Sequence, residues 1–167
     1  MPWIGRNIFK MEKLTLKSID DFLQRQGEKL GVSEWVLIDQ DMIDKFADAT
    51  MDHQWIHVDA ERAKTESLYH TTVAHGYLTL SLIVHLLGSA FETENVVNII
   101  NYGIDKMIFK TPVRVNSRAR LHVDLVSAKD LGIACQAKLH CVIEIEGEET
   151  PALEGQITFV YYFDINK

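Results

Sequence analysis

The densest concentration of chemically capable side chains is the run Thr50-Met51-Asp52-His53-Gln54-Trp55-Ile56-His57-Val58-Asp59. A carboxylate and an imidazole brought together can share the proton traffic of one water molecule, which is general acid–base chemistry. His53 and His57, four apart, would share a face of a helix and could then ligate a metal. Trp55 and Ile56 between them, and the lack of a clear third ligand elsewhere, weigh against a metal. The plainer alternative is a surface loop with helix-capping acids, and Asp59 suits the N-cap of a following helix. A second cluster, Ala74-His75-Gly76-Tyr77, opens a long apolar segment. Free backbone N–H groups at a helix N-terminus stabilise developing negative charge, and Gly lets a ligand approach closely. A thioester carbonyl turning enolate-like is the kind of charge such a site serves. Gly is also common at helix starts, and His75 reads equally as a buried His bonded to backbone. The same structural role is expected of His85, His122 and His140.

The elements that must position these groups follow from periodicity. Ser18 or Asp20 can cap a helix running to Leu30 with Gly31 as its stop, and residues 35–38 form a short strand. Asp39 can cap a helix bearing Ile43, Phe46 and Ala47 on one face, ending near Met51. A His-rich loop follows to Asp59, then one further helical turn. Residues 74–90 are the longest helix candidate, and apolar residues surround its axis (Leu78, Leu80, Leu82, Ile83, Val84, Leu86, Leu87), so it must be enclosed.

The second half changes period. After a strand over 96–109, apolar residues alternate with polar ones through Ala119, Leu121, Val123 and Leu125. The same phase recurs from Ile133 to Ile145 and from Ile157 to Phe163, with turns at Asp130-Leu131-Gly132 and Glu146-Gly147-Glu148. An antiparallel sheet that needs a cover and a helix that needs enclosing satisfy one another. The fold class is α+β, a curved antiparallel β-sheet wrapped around one long central α-helix. Residues 1–167 form a single domain, of which 1–32 are an N-terminal helical extension.

With 167 residues, 47% of them hydrophobic and 25% charged, the chain is an ordinary globular one. Its net charge of −7 argues against sequence-independent nucleic-acid binding. From residue 101 to 129, however, six Lys and Arg (Lys106, Lys110, Arg114, Arg118, Arg120, Lys129) face only Asp105 and Asp124, which suggests a local cationic patch for phosphates. Cys135 and Cys141 lie on one strand, roughly 20 Å apart at about 3.3 Å per residue, too far for a disulfide. A reducing compartment, the cytoplasm, fits best. No secretory signal is expected at the N-terminus. The uncharged stretch 67–91 contains three His and too short an apolar part for a membrane span.

The segment from Phe46 to Leu82 resembles the hydratase motif of the MaoC-like, (R)-specific enoyl-CoA hydratase family, and in particular its nodulation protein N-like subgroup. The family pattern is an Asp, four residues, a His and a nearby Asp, followed by His-Gly; here these are Asp52, His57, Asp59, His75 and Gly76. The wording DHQWIHVD and AHGYLTLSL matches the subgroup, as do Asn101-Tyr102-Gly103 and Thr111-Pro112-Val113 downstream. The chain differs from the family at Met51, where Gly is usual, in the loop Ser67-Leu68-Tyr69-His70, at Ile108, where a basic residue is usual, and at Val84, where some members carry an acyl-pocket Ser.

The resemblance implies a hot-dog fold and reversible syn hydration of a trans-2-enoyl-CoA to an (R)-3-hydroxyacyl-CoA. Asp52 and His57 would be the catalytic pair, and the Gly76 N–H would polarise the thioester carbonyl. Substrate-binding candidates are His75, Tyr77, Ser81, Val84 and Trp55. No metal and no cofactor is implied beyond the coenzyme A of the acyl-CoA substrate, and a homodimer is expected, with no nucleic-acid or membrane partner. The rivals are a thioesterase on the same fold and a non-catalytic acyl-CoA or acyl-carrier binding protein.

Overall fold

The computed structural model describes residues 13–164. Its elements are β1 (Thr15–Leu16), α1 (Ile19–Gln24), β2 (Lys29–Val32), β3 (Val36–Ile38), α2 (Gln40–Thr50), α3 (Trp55–Val58), α4 (Ala60–Glu66), α5 (Gly76–Ala90), β4 (Glu92–Thr93), β5 (Val96–Phe109), β6 (Ser117–Asp130), β7 (Ala134–Ile145) and β8 (Leu153–Phe163). The main sheet runs β2-β6-β7-β8-β5, with β3 also paired to β6, and all its pairings are antiparallel. β1 and β4 form a separate parallel pair.

The alternation predicted for the second half is realised in the register. Leu121, Val123 and Leu125 lie opposite Ile143, Cys141 and Leu139, which in turn lie opposite Leu153, Gly155 and Ile157. Every one of these apolar side chains is buried, so a single apolar face spans three strands. The expected turns close through glycines in left-handed conformation. Gly132 (φ 87°) donates its N–H to Asp130 Oδ1 at 2.7 Å, and at Gly147 (φ 82°) the Glu148 N–H donates to the Ile145 carbonyl at 3.1 Å. Both cysteines are free and buried, and burial pushes the Cys135 thiol up to about 11 and the Cys141 thiol to about 12. Neither is poised as a nucleophile. Among the described residues no helix is long and apolar enough to cross a membrane.

α5 lies on the inner face against β2, β6 and β7. It buries Leu78, Thr79, Ile83, Leu86, Leu87 and Ala90, the spacing of one helical face. It is not enclosed all round, as its apolar circumference predicts. Tyr77 (69% exposed), Ser81, Val84 (53%) and Gly88 form an open stripe. The reason is that β5 stands off from the helix on that side. Two grooves of about 340 and 190 Å³ lie between them, both lined by Val84, Asn101 and Phe159.

The N-terminal segment departs most from expectation. Ser18 caps α1 as expected, its Oγ accepting from the Asp21 N–H at 3.2 Å, but the helix ends at Gln24 rather than Leu30. Gly27 (φ 84°) turns the chain and its N–H donates to the Leu125 carbonyl at 2.7 Å, so residues 29–32 enter the sheet beside β6. The helical extension read over 1–32 therefore contains a strand of the main sheet; residues 1–12 lie outside the described residues. α1 is held by Phe22, whose ring sits 4.8 Å from that of Tyr161 in the core.

Gly31 is thus no helix stop. A Cβ there would lie on the Ala90 carbonyl oxygen at the end of α5, backbone against backbone. Replacing Gly31 with Ala must push β2 off the central helix, and the cost of such overpacking is about 1–3 kcal/mol. A lower urea midpoint at unchanged m-value is the expected outcome for Gly31→Ala.

Candidate active site

Asp39 starts the construction of the site. Its Oδ1 accepts from the Met42 N–H at 2.9 Å and caps α2, which carries the chain to Met51. Met51 adopts φ 61°, a left-handed conformation costly for a residue with a Cβ, and so reverses the chain and delivers Asp52. The expected loop 52–59 is not wholly irregular, because residues 55–58 form the single helical turn α3. Asp59 then caps α4 through the Arg62 N–H at 3.0 Å. Gln40 ties these pieces together. Its side-chain amide donates to the His57 carbonyl at 2.8 Å and its Oε1 accepts from Thr72 Oγ1 at 2.6 Å.

His57 is buried, and its Nδ1 lies 2.6 Å from the Val73 carbonyl oxygen. A carbonyl only accepts, so Nδ1 carries the proton and Nε2 holds a free lone pair. Val73 is itself fixed, its N–H donating to the Ile56 carbonyl at 3.1 Å, while the Ala74 N–H donates to the Val113 carbonyl at 2.7 Å. α5 begins two residues later, at Gly76. The N–H of this first helical residue has no carbonyl one turn earlier to bond. His57 and Gly76 line one cavity of about 270 Å³ with Tyr69, Thr79, Phe109 and Thr111. A Cβ on Gly76 would meet the Phe109 ring at 3.1 Å, a tight contact, so Gly lets the ring sit close over the helix N-terminus.

Asp52 is half-exposed and its carboxylate lies within 4.8 Å of the ring nitrogens of His57 and His75. His75 is almost wholly buried. Its Nε2–H donates to the Asp52 main-chain carbonyl at 2.9 Å, and its ring stacks on His57 with centroids 3.8 Å apart and 26° between planes. Phe46 covers it at 5.0 Å. Asp52, His57 and His75 each offer one donor atom, and these atoms lie within 4.8 Å of one another. One nitrogen of each ring is bonded to a main-chain carbonyl, which leaves the other nitrogen of each ring open. His53, the other candidate ligand, bonds Asp48 Oδ1 at 2.8 Å in solvent.

The sequence-predicted residues therefore separate into groups. His57 and Gly76 come together at the cavity, and Asp52 lies next to His57, its carboxylate within 4.8 Å of that ring, without lining the cavity itself. His75 lies behind it, bonded to protein rather than lining it. Tyr77 is exposed with its ring edge-on to Phe109 at 5.9 Å, and Trp55 lies beneath the Arg62 guanidinium at 4.4 Å. Ser81 and Val84 line the groove beside β5, where Ser81 Oγ donates to the Tyr77 carbonyl at 2.7 Å. Sequence reasoning missed Gln40, Tyr69, Thr79 and Phe109. Only Phe109 had a legible signal, as the last apolar residue of a strand directly before Thr111-Pro112-Val113.

The cationic patch read over residues 101–129 is not present as such. Lys110 pairs with Glu154, Arg114 with Glu148 (3.9 Å), Arg118 with Glu146 (3.3 Å) and Arg120 with Glu144 (2.7 Å). The antiparallel sheet brings carboxylates of β7, of the turn that follows it and of β8 next to these four bases, which local charge counting cannot see. His122 and His140 belong to the same outer ladder, bonded to Glu144 (2.5 Å) and Glu154 (3.2 Å) rather than to backbone.

Residues 21–142 match the family model described as a MaoC like domain. The 3-hydroxyacyl-thioester dehydratase Z of Mycobacterium tuberculosis (strain ATCC 25618 / H37Rv) is 45% identical over 139 residues, 83% of this chain and 91% of that protein. Nodulation protein N of Rhizobium leguminosarum bv. viciae is 41% identical over 152 residues, 89% of this chain and 94% of that one. Among solved structures, an unliganded R-hydratase from Pseudomonas aeruginosa superimposes with a TM-score of 0.68 over 83% of each chain; at 17% identity this is a likeness of fold.

Burial holds the His57 imidazole below its ordinary value of 6.5, and the like charge of His75 adds to the effect; the Val73 bond and Asp52 oppose it. A group whose folded pKa is depressed destabilises the fold as pH falls, because the unfolded chain takes up the proton first. The urea midpoint is therefore expected to fall as pH is lowered from about 6.5 towards the folded-state value, and to fall less in His57→Asn, which does not titrate. Ring NMR should give a His57 midpoint below 6.5.

Proposed function

The chain belongs to the MaoC-like domain family, and from that premise we propose that it hydrates a trans-2-enoyl thioester, with coenzyme A as the thiol, to an (R)-3-hydroxyacyl thioester, and catalyses the reverse dehydration. Its class is that of a hydratase/dehydratase lyase. The observation that carries the finer reading is the neutral, proton-accepting Nε2 of His57, with the Asp52 carboxylate within 4.8 Å, on a cavity that the first turn of α5 also lines.

In that reaction Asp52 and His57 hold one water. As a proton passes from it to the pair, its oxygen bonds to C3, and a proton is returned to C2 on the same face. The electron pair of the C2=C3 bond moves through the carbonyl during the addition, so negative charge collects on the thioester oxygen. The N–H of Gly76 and the positive end of α5 receive it. The thioester itself acidifies C2 and activates C3, so no metal or redox cofactor enters the proposal. The free, buried Cys135 and Cys141 suit a reducing compartment such as the cytoplasm.

The same proposal includes a homodimer. Among the described residues β5 is a 14-residue edge strand paired with β8 alone, and it exposes Ile99, Tyr102 and Ile104 beside Tyr77 and Val84 of α5. A long apolar edge of this kind pairs with another strand unless it is covered, and an isologous contact with a second copy closes it. A dimer mass in light scattering, converted to monomer by the paired change Ile99→Lys and Tyr102→Lys, is the expected result.

Loss of enoyl absorbance from crotonyl-CoA tests the reaction. Failure to hydrate enoyl-CoAs of any length would overturn it, and release of free thiol would assign the thioesterase reaction instead. Asp52→Asn and His57→Ala are each expected to lose about 10²- to 10⁴-fold in kcat while retaining the native circular dichroism spectrum. Full activity in both would remove the pair from the mechanism.

A further inference from the structure

We propose that His75 is the positioning residue that holds Asp52, His57 and the Gly76 N–H in one frame, through its bond to the Asp52 carbonyl and its stack on the His57 ring. The inference rests on the hydration reading above. Three contacts carry it. The Nε2–H donates to the main-chain carbonyl of Asp52 at 2.9 Å and so anchors the turn that Met51 makes at a costly φ. The ring lies 3.8 Å from that of His57, fixing the plane in which the His57 Nε2 lone pair points. Its own backbone is the residue before Gly76, at the N-cap of α5. One side chain thus joins the carboxylate's turn, the base and the start of the helix.

His75 is not a substrate contact. It is 2% exposed and does not line the cavity that holds His57 and Gly76. Its remaining nitrogen, Nδ1, is buried without a hydrogen-bond partner. An unpartnered buried nitrogen carries a desolvation penalty, which a residue kept only for packing would not impose. A phenyl ring would fill the same space without that penalty, and it would lose only the bond to Asp52 and the polarity of the stack.

The stack also bears on proton transfer. Two imidazolium rings at 3.8 Å repel each other, so the pair resists taking a second proton. The titratable groups facing His57 are Asp52 from the turn after α2 and His75 from the start of α5, and Tyr69 and Lys110 share the cavity lining. Removing His75 removes the repulsion and leaves the attraction of Asp52, so His57 should charge at higher pH.

The test combines NMR on the intact protein with two variants. Nitrogen-15 spectra are expected to give His75 as the Nε2–H tautomer; an Nδ1–H tautomer would overturn the proposal. His75→Phe, which keeps a stacking ring, is expected to lose about 10- to 100-fold in kcat with KM within about threefold of wild type. The acid limb of kcat/KM should move to higher pH. His75→Gln, whose amide can again donate towards the Asp52 carbonyl, should recover part of kcat. A Phe variant with wild-type kcat and acid limb would overturn the proposal, as would a loss confined to KM or Gln no better than Phe. Should His75→Phe fail to fold, the wild-type tautomer decides. Should the wild type hydrate no enoyl thioester, the reaction reading fails, and the tautomer with the shift of the His57 midpoint in His75→Gln still decides the positioning role.

Discussion

The hydrogen bond from His57 Nδ1 to the Val73 carbonyl is the contact on which the rest of the site depends. A buried imidazole must satisfy its N–H or incur the desolvation penalty, and this one does so on a carbonyl whose own residue is already bonded to α3 and whose neighbour is bonded to the segment leading into β6. The bond therefore does two things. It fixes which nitrogen is free to accept a proton, and it ties the one-turn helix carrying His57 to the segment that starts α5. A four-residue helix has too few internal bonds to hold an orientation by itself. Its position comes from Val73 and from Gln40, which are held in turn by the segment leading into β6 and by α2.

That dependence explains what the sequence made legible. The strands β6, β7 and β8 are long, and each has one buried face, so a period of two survives over ten residues or more and the register follows from it. α2 and α4 announce themselves by their caps, Asp39 and Asp59, because an N-cap is a local bond between a side chain and an N–H three residues on. The Asp52, His57 and Gly76 constellation was legible as a spaced motif. Lys29–Val32 was not, since four residues carry no period. Gly31 reads as a helix stop unless one knows that the Ala90 carbonyl of α5 approaches it. Gln40 was invisible for the same reason: its partners lie 17 and 32 residues away.

Charge was the property most misread locally. Six basic residues in one stretch looked like a phosphate site, yet four of them pair with carboxylates of β7, of the turn after it and of β8. The antiparallel register is responsible, because β6 pairs with β7 so that Arg120 meets Glu144 while Leu121 meets Ile143. Alternation therefore sets two patterns at once, an apolar inner face and an ion-paired outer one. The outer pairs are exposed and each contributes little to stability. They do neutralise the face, so recognition of a polyanionic substrate cannot be assigned to that side of the sheet.

The inner face imposes the opposite asymmetry. α5 packs against β2, β6 and β7 but stands off from β5, so the helix is firmly seated on one side and open on the other. Its buried side fixes the direction of the helix axis and hence where the Gly76 N–H points. Its open side leaves Phe109 and Tyr77 largely exposed near that N-terminus. The same end of one helix is therefore held by core packing and left free to receive a ligand. A helix enclosed on every side, as its apolar circumference alone suggests, would be more stable but would have no free first turn. The incomplete enclosure of α5 is thus the structural condition for a site at its start. It also exposes the apolar edge of β5, which is why the site and the proposed subunit contact lie on the same side of the sheet.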